Sequence, residues 1–269
     1  MRIFPVMLAL LLIAAPARAA DELVFGINEG VTYRITPQET RERYREIGEA
    51  LAKLLKRPVL IEPVDDYVKL RRNLEDLKYD LAFIHPAHHS LRAMRDQKYR
   101  LVALTKGYTE YKARFLIKGD SLLKQPADIK GRKLVMPDPD SITAWMVRAT
   151  LRDLGVAGTV TISTTRYQDA IPFMLDNGFN EIGSTAAGGV IRDWQAKGGR
   201  VLFDSKPVPI KHLIASPRMS KADFDHVRAF FLGMETSKEN RKFLDKIGFQ
   251  GFVAGNEQAL TEIAVWLGI

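Results

Sequence analysis

Hydrophobic positions in the first part of the chain follow two alternating spacings. Short runs of consecutive apolar residues, typical of buried strands, occupy residues 23–27, 59–61, 81–84 and 101–104. Between these runs, apolar residues recur every three or four positions, as on one face of a helix, and residues 36–56 are the longest such stretch. This alternation predicts a parallel sheet covered by helices.

The same alternation recurs from about residue 113 to residue 203 and predicts a second α/β unit. Its strands are predicted at residues 113–117, 133–136, 160–163 and 201–203, with a short strand at Ile182, and its helices at residues 143–154, 167–176 and 185–197. Lys206-Pro207-Val208-Pro209 then predicts an extended segment, because proline restricts both itself and the residue before it. Residues 212–215 predict a strand that returns to the first sheet. Helices are predicted at residues 221–232, 237–247 and 256–267.

These elements predict an α/β protein of two lobes, each a mainly parallel sheet flanked by helices, with a ligand cleft between the lobes. Residues 21–107 and 210–269 form lobe 1, and residues 108–209 form lobe 2. The chain crosses between the lobes near residues 106–112 and 204–210, where hinge motion can close the cleft. The length of 269 residues suits two domains of about 120 residues each.

The N-terminus has the pattern of a secretory signal peptide spanning residues 1–20. Arg2 gives a positive start, an apolar run covers residues 4–15, and small residues precede an expected cleavage after Ala19 or Ala20. The alternative is a membrane anchor, but a spanning helix needs about 20 apolar residues. The chain has no cysteine, which excludes a lipoprotein anchor and disulfides. We expect a free periplasmic protein.

Charge favours a small anion over nucleic acid as the partner. The formal net charge is +8, but basic and acidic residues are interleaved, as in Arg41-Glu42-Arg43, and such runs are usually solvated helix faces. The export signal also argues against nucleic acid. A mild positive field helps an anion to reach its site.

Residues 136–144 predict a strand that ends in a proline-rich turn and a helix that starts with hydroxyl side chains. The first N–H groups of a helix are unpaired and carry partial positive charge, so they can hold an oxyanion. The hydroxyls of Ser141 and Thr143 could add donors. The alternative is that Ser141 only caps the helix.

His85, His88 and His89 follow the predicted strand at residues 81–84, where doubly wound sheets bind ligands. A metal site is not favoured, because the predicted helix starts at Pro86 and the nearby sequence offers no third ligand. We expect one or two of the imidazoles to face the cleft. The small residues 183–189 could also offer N–H groups there, or could only pack a helix on the sheet. Nucleophile and nucleotide-binding motifs are absent from the sequence, so no enzymatic activity and no cofactor are expected.

Several runs, in order along the chain, resemble the periplasmic phosphate-, phosphite- and phosphonate-binding proteins of ABC transporters. These runs are Asp66-Tyr67, residues 80–89, Tyr111-Lys112-Ala113, residues 120–131 and residues 138–144. The resemblance implies a type II-like periplasmic binding protein that acts as a monomer and delivers its ligand to an inner-membrane ABC permease. The alternative is a receptor of the same fold that signals to a membrane histidine kinase.

The sequence also departs from this family at ligand-binding positions. Ile142 and Ala144 stand where the family has hydroxyl or glycine residues, Gln168 replaces a histidine, and His89 replaces a tyrosine. Glu181 resembles an acidic residue that can face a ligand amine in aminophosphonate binders. The predicted ligand-binding residues are Tyr67, His85, His89, Tyr111, Ser141, Ile142, Thr143, Gln168, Glu181 and Ser184.

Overall fold

A computed structural model describes residues 22–30 and 35–269; the predicted signal peptide lies outside the described residues. The described strands are β1 (Leu23–Asn28), β2 (Val59–Pro63), β3 (Leu81–Ile84), β4 (Arg100–Thr105), β5 (Arg114–Ile117), β6 (Lys133–Met136), β7 (Thr161–Thr164), β8 (Ile182–Thr185), β9 (Arg200–Asp204), β10 (His212–Ala215) and β11 (Phe252–Val253). The described helices are α1 (Pro37–Leu55), α2 (Tyr67–Glu75), α3 (Ala87–Asp96), α4 (Ile142–Asp153), α5 (Ile171–Asp176), α6 (Gly188–Ala196), α7 (Lys221–Leu232), α8 (Lys238–Ile247) and α9 (Glu257–Leu267).

Lobe 1 is built on a six-stranded sheet in the order β11-β4-β10-β3-β1-β2. β1 is parallel to β2 and β3, whereas β10 is antiparallel to both β3 and β4. The four strands β1–β4 therefore share one direction, as the alternating pattern predicts. The sheet is mixed because β10 and β11 run against β4.

Lobe 2 is built on a five-stranded sheet in the order β7-β6-β8-β5-β9. β6 is parallel to β7 and β8, and β5 is antiparallel to its neighbours β8 and β9. Only β5, the strand that follows the crossing from lobe 1, is reversed among these strands. The loops that follow β2, β6 and β7 line a pocket between the lobes. The predicted two-lobed α/β fold is confirmed.

The two crossing segments lie side by side. Tyr111 and Val208 form an isolated antiparallel bridge, in which the N–H of Val208 donates to the carbonyl of Tyr111 at 2.8 Å and the reverse bond is 3.3 Å long. The N–H of Ile210 also donates to the carbonyl of Tyr108 at 3.1 Å. This short ladder holds the crossings together independently of either sheet.

Some element boundaries differ from the pattern-based prediction. The helix expected from residue 185 begins at Gly188, because Thr185 still belongs to β8 and pairs with Arg114. The helix expected from residue 167 starts as a 3-10 turn at Gln168–Ala170 before α5. β11 was not predicted, since two residues are too few to show a period. Among the described residues, no helix is long and apolar enough to cross a membrane.

Candidate ligand-binding site

Lobe 2 presents the N-terminus of α4 to the cleft. Ser141 is the N-cap: its backbone is extended (φ −75°, ψ 151°) and its Oγ accepts a hydrogen bond from the N–H of Ala144 at 3.2 Å. The N–H groups of Ile142 and Thr143 lie in the first helical turn, where donors have no partner within the helix. Ser141 therefore does cap the helix, and the N–H groups of Ile142 and Thr143 and the Thr143 hydroxyl are the candidate donors to an anion.

Asp140, directly before this cap, contacts lobe 1. Its carboxylate forms an ion pair with Arg71 of α2, and its Oδ1 lies 3.3 Å from Nε2 of His88. Burial raises the pKa of Asp140, but the hydrogen bond with His88, the neighbouring imidazoles and the positive charge of Arg71 lower it by more, so the pKa lies well below its usual range. Asp140 is therefore ionised at neutral pH and joins the two lobes.

Aromatic rings surround this contact. The ring of His88 stacks on Trp145 of α4 at a centroid distance of 5.4 Å, and the guanidinium of Arg92 lies 4.8 Å from the same indole. The rings of Tyr67 and His89 are 5.1 Å apart. The lobes thus meet through α2 and α3 on one side and the start of α4 on the other.

The three clustered histidines are all buried. His85 follows β3 and lies outside α3. His88 and His89 lie in the first turn of α3, which was predicted to start at Pro86 and has Pro86 as its N-cap and Ala87 as its first residue. Burial lowers the pKa of each imidazole, because it penalises the charged form. The histidines are therefore neutral at neutral pH.

His85 lies in the loop between β3 and α3, next to the first crossing segment. Its ring lies edge-on to Tyr111, with centroids 6.2 Å apart. Gly30 approaches the same ring so closely that a Cβ there would lie 2.7 Å from the imidazole Cδ2, and its φ of +91° also favours glycine. The structure therefore brings His85 and Tyr111 together at the base of the cleft.

In lobe 2, Gln168 ties the end of β8 to the following loop. Its Oε1 accepts hydrogen bonds from Oγ1 of Thr185 at 2.8 Å and from the N–H of Ala186 at 2.9 Å. Ser184 is fully buried in β8, and its Oγ has no hydrogen-bond partner among the described residues. Gln168 thus has a structural role in shaping this wall of the cleft.

Glu181 lies away from these residues. It precedes β8 at the end of the sheet opposite the cleft, where its carboxylate pairs with Arg132 at 2.9 Å and accepts from the N–H of Lys133 at 3.2 Å. Both members of the ion pair are about half exposed. The structure does not bring Glu181 to the cleft.

An open pocket of about 450 Å³ lies between the lobes. Lobe 1 lines it with residues 65–68, and lobe 2 lines it with residues 138–140 and 164–166. Tyr67 and Asp140 therefore face the same space. This pocket is the candidate entrance to the ligand site.

Sequence reasoning missed Arg71 and Asp140 as site residues. Arg71 stands in a run of mixed charge that resembles a solvated helix face, and its partner Asp140 is 69 positions further along the chain. The position of Asp140 immediately before a predicted helix cap was the one available signal. The inward orientation of His88 was left open by the sequence and is decided by its contacts with Trp145 and Asp140.

His212, a buried histidine near the second crossing, should make the folded protein less stable in acid. His212 lies 2.7 Å from Oγ of Ser90, and burial lowers its pKa from 6.5 to about 4. Between these values the unfolded chain takes up a proton that the folded chain does not, so stability is present above pH 6.5 and is lost as the pH falls towards 4. From pH 7 to pH 5, His212 alone should lower the free energy of unfolding by about 2 kcal/mol.

Urea unfolding at these two pH values measures this loss. His212→Gln should reduce the difference in the free energy of unfolding between pH 7 and pH 5. His226→Gln, at an exposed position, should leave this difference unchanged. Equal pH dependence in wild type and His212→Gln would contradict the assignment.

The two mixed sheets, the paired crossings and the cleft between them define a two-lobed periplasmic binding protein. A family model described as the periplasmic substrate-binding protein of phosphonate ABC transporters matches residues 30–260. The chain belongs to this family, and its members are periplasmic substrate-binding components of ABC transporters. A comparison with curated proteins finds no match.

Solved structures show the same fold at low sequence identity. A Xanthomonas citri protein bound to ATP is 12% identical with a TM-score of 0.78, covering 93% of this chain and 98% of that one. PhnD1 of Prochlorococcus marinus in complex with methylphosphonate is 14% identical with a TM-score of 0.70, covering 91% and 96%. A binding component of a phosphonate ABC transporter from Pseudomonas aeruginosa is 16% identical with a TM-score of 0.62, covering 91% and 85%.

Proposed function

We propose that this chain captures a small oxyanion or organic anion, of the phosphate or phosphonate type, between its lobes. The observation that supports this most is the N-terminus of α4, which offers the N–H groups of Ile142 and Thr143 at the interlobe contact. Arg71 and His89 lie on the lobe 1 side of the same contact. Donors and positive charge from both lobes would then hold one anion.

Hinge motion would open the cleft by separating these two sides, which are in contact in the structure, and would close it again around the ligand. We propose that residues 106–112 and 204–210 are the hinges, with lobe 1 formed by residues 21–107 and 210–269 and lobe 2 by residues 108–209. The Tyr111–Val208 bridge supports this, because a pair of crossings joined by so few hydrogen bonds can twist without disturbing either sheet. Ligand binding should therefore reduce the radius of gyration in solution scattering.

The mouth of the pocket is acidic, which bears on the choice of ligand. Asp65, Asp66 and Asp138 line it together with Arg166. Asp66 caps α2 through the N–H of Lys69, and Asp138 accepts from the N–H of Asp140, so both carboxylates are held in place. An anion that also carries an amine would match these carboxylates better than a simple oxyanion.

The remaining roles follow from the family and the N-terminal pattern. We propose that residues 1–20 are removed as a signal peptide and that the mature protein is a monomer that docks on an inner-membrane ABC permease. It would release its ligand unchanged and need no cofactor. N-terminal sequencing of the protein recovered from the periplasm checks the cleavage after Ala19 or Ala20.

A thermal-shift panel on residues 21–269 tests the ligand class. Phosphate, methylphosphonate, an aminoalkylphosphonate and sulfate are compared with neutral and basic amino acids. A ligand that binds only the folded state stabilises it by about 2.7 kcal/mol at a hundredfold excess over Kd. We expect the phosphonates to raise the melting temperature, and the aminoalkylphosphonate to raise it most. No shift with any oxyanion, or the largest shift with a basic amino acid, would contradict the proposal.

A further inference from the structure

Three metal-ligating side chains meet across the interlobe contact. His88 and His89 come from α3 of lobe 1, Asp140 comes from the turn before α4 of lobe 2, and one ligand atom from each lies within 4.8 Å of the others. Nε2 of His88 is 3.3 Å from Oδ1 of Asp140, and Nε2 of His89 is 4.0 Å from Oδ2. We call these three residues the His-His-Asp cluster.

The imidazoles of this cluster have unused nitrogen atoms. Both side chains are 0% exposed. Within the described part of the chain, neither nitrogen of His89 and not Nδ1 of His88 has a hydrogen-bond partner. A buried polar atom without a partner costs about 1–3 kcal/mol. A bound cation would use the lone pair of His89 that points towards Asp140.

The chemistry of the donor atoms also suits a cation. An imidazole buried away from water favours its neutral form, which has a lone pair to give, and a carboxylate oxygen is a ligand as well. Two neutral imidazoles and one carboxylate are a donor set that binds zinc and similar divalent ions.

The geometry points to a binding site for a first-row divalent transition metal ion, such as Zn²⁺, in the His-His-Asp cluster. Zinc bonds of about 2.0–2.1 Å place neighbouring ligand atoms roughly 3.3 Å apart in a tetrahedron. Nε2 of His88 and Oδ1 of Asp140 already have this spacing, and His89, whose Nε2 is 4.0 Å from Oδ2 of Asp140, needs to move closer. The fourth position remains for water from the pocket. Imidazole ligands disfavour Mg²⁺ and Ca²⁺, which prefer oxygen.

Arg71 competes with this ion. Its guanidinium pairs with Oδ2 of Asp140, the oxygen that faces His89. The side chain of Arg71 is 32% exposed, so it can swing into solvent when a metal takes its place. The guanidinium of Arg92 lies over the ring of Trp145, 4.8 Å from its centroid. Removing Arg71 should therefore strengthen metal binding, a result that a purely structural role for the cluster does not predict.

A metal in this cluster would join the lobes, because its ligands come from both. The inference concerns a cation and goes beyond the anion of the proposed function. It is tested with the metal alone. The rise in melting temperature with methylphosphonate, measured in EDTA to remove metal ions, tests anion binding separately. Either proposal can therefore fail without the other.

Isothermal titration of metal-free residues 21–269 with Zn²⁺ tests the site. We expect one ion per chain, loss of this binding in His89→Ala and Asp140→Ala, and several-fold tighter binding in Arg71→Ala. His226→Ala, which removes an exposed histidine outside the cluster, is the matched control and should bind as wild type. Mg²⁺ and Ca²⁺ should give no binding heat.

Circular dichroism and melting temperature without metal establish that each variant is folded. Should a cluster variant fail to fold, His89→Gln takes its place, since glutamine keeps the polarity but not the imidazole. The inference is overturned if wild type binds no Zn²⁺, if folded His89 and Asp140 variants bind as tightly as wild type, or if Arg71→Ala weakens binding.

Discussion

Replacing Lys211 by Met should lower the free energy of unfolding by about 3 kcal/mol, the lower end of the range for breaking a buried ion pair. Nζ of Lys211 lies 3.1 Å from Oε2 of Glu29, and the two side chains are 9% and 5% exposed. The variant would leave the Glu29 carboxylate buried without its nearest cation. The loss is limited because Tyr44 still donates to Glu29 at 2.7 Å and Arg43 lies 3.9 Å away.

The pair matters for the site because of where its members stand. Lys211 follows the second crossing and Glu29 follows β1, so the pair ties the crossing to the loop beside His85. The ammonium of Lys211 also lies 4.5 Å from the ring of Tyr108 and 4.4 Å from that of Phe249. Weakening this ion pair should loosen the lobe 1 end of the second crossing.

Urea unfolding of matched variants measures this effect. Adding Glu29→Gln to Lys211→Met removes the uncompensated charge and should recover part of the loss. Lys106→Met breaks an ion pair with Glu235 whose lysine is 47% exposed, and it should cost at most about 1 kcal/mol. A Lys211→Met variant no less stable than Lys106→Met would refute the argument.

Phe115→Ala should cost about 3–5 kcal/mol, the usual range for truncating a buried phenylalanine. Its ring is fully buried in lobe 2 and stacks on Phe203 at 4.2 Å, with 17° between the planes. β5 follows the first crossing and β9 precedes the second, so this ring pair lies at the lobe 2 ends of both crossings. The cavity should therefore loosen lobe 2 before lobe 1.

Hydrogen exchange separates this local effect from general destabilisation. In Phe115→Ala, amides of β5 and β9 should exchange faster while those of β1 and β3 stay protected. Phe173→Ala is the control, because its side chain is 60% exposed and surface changes usually stay within about 0.5 kcal/mol. Equal acceleration of the amides in β1 and in β5 would contradict a local effect.

Much of the fold could be predicted because its signals are local. β6 at Lys133–Met136 and α7 at Lys221–Leu232 agree with the pattern to the residue, since each is a periodic run with a clear break on both sides. β11 could not be predicted, because its two residues become a strand only by pairing with β4. The start of α6 was placed too early for a similar reason, as strand pairing extends β8 into the small-residue loop.

The site was less predictable, because its contacts join distant segments. The helix start at Ser141 follows from the local sequence, and the family resemblance suggested that this helix start binds the anion. The Arg71–Asp140 ion pair depends on how two lobes meet, which no local pattern encodes. Glu181 was suggested by the resemblance alone, and the direction of β8 carries it to the far end of the sheet.

The central claim is that the N-terminal amides of α4 hold the anion. Ile142→Pro removes one of these N–H groups, and proline is tolerated at the first helical position because no intrahelical bond is lost there. Ser141, at φ −75° and ψ 151°, already has the backbone that a residue before proline adopts. Ile142→Ala is the matched control, since it also truncates this buried side chain but keeps the N–H.

Isothermal titration of both variants with the oxyanion that stabilises wild type most gives the most direct test. A hydrogen bond to a charged group is worth about 1.5–3 kcal/mol, which corresponds to at least about a tenfold change in affinity. We predict that Ile142→Ala binds nearly as wild type and that Ile142→Pro, although folded, binds at least about tenfold more weakly. Equal affinity in the two variants would contradict the account.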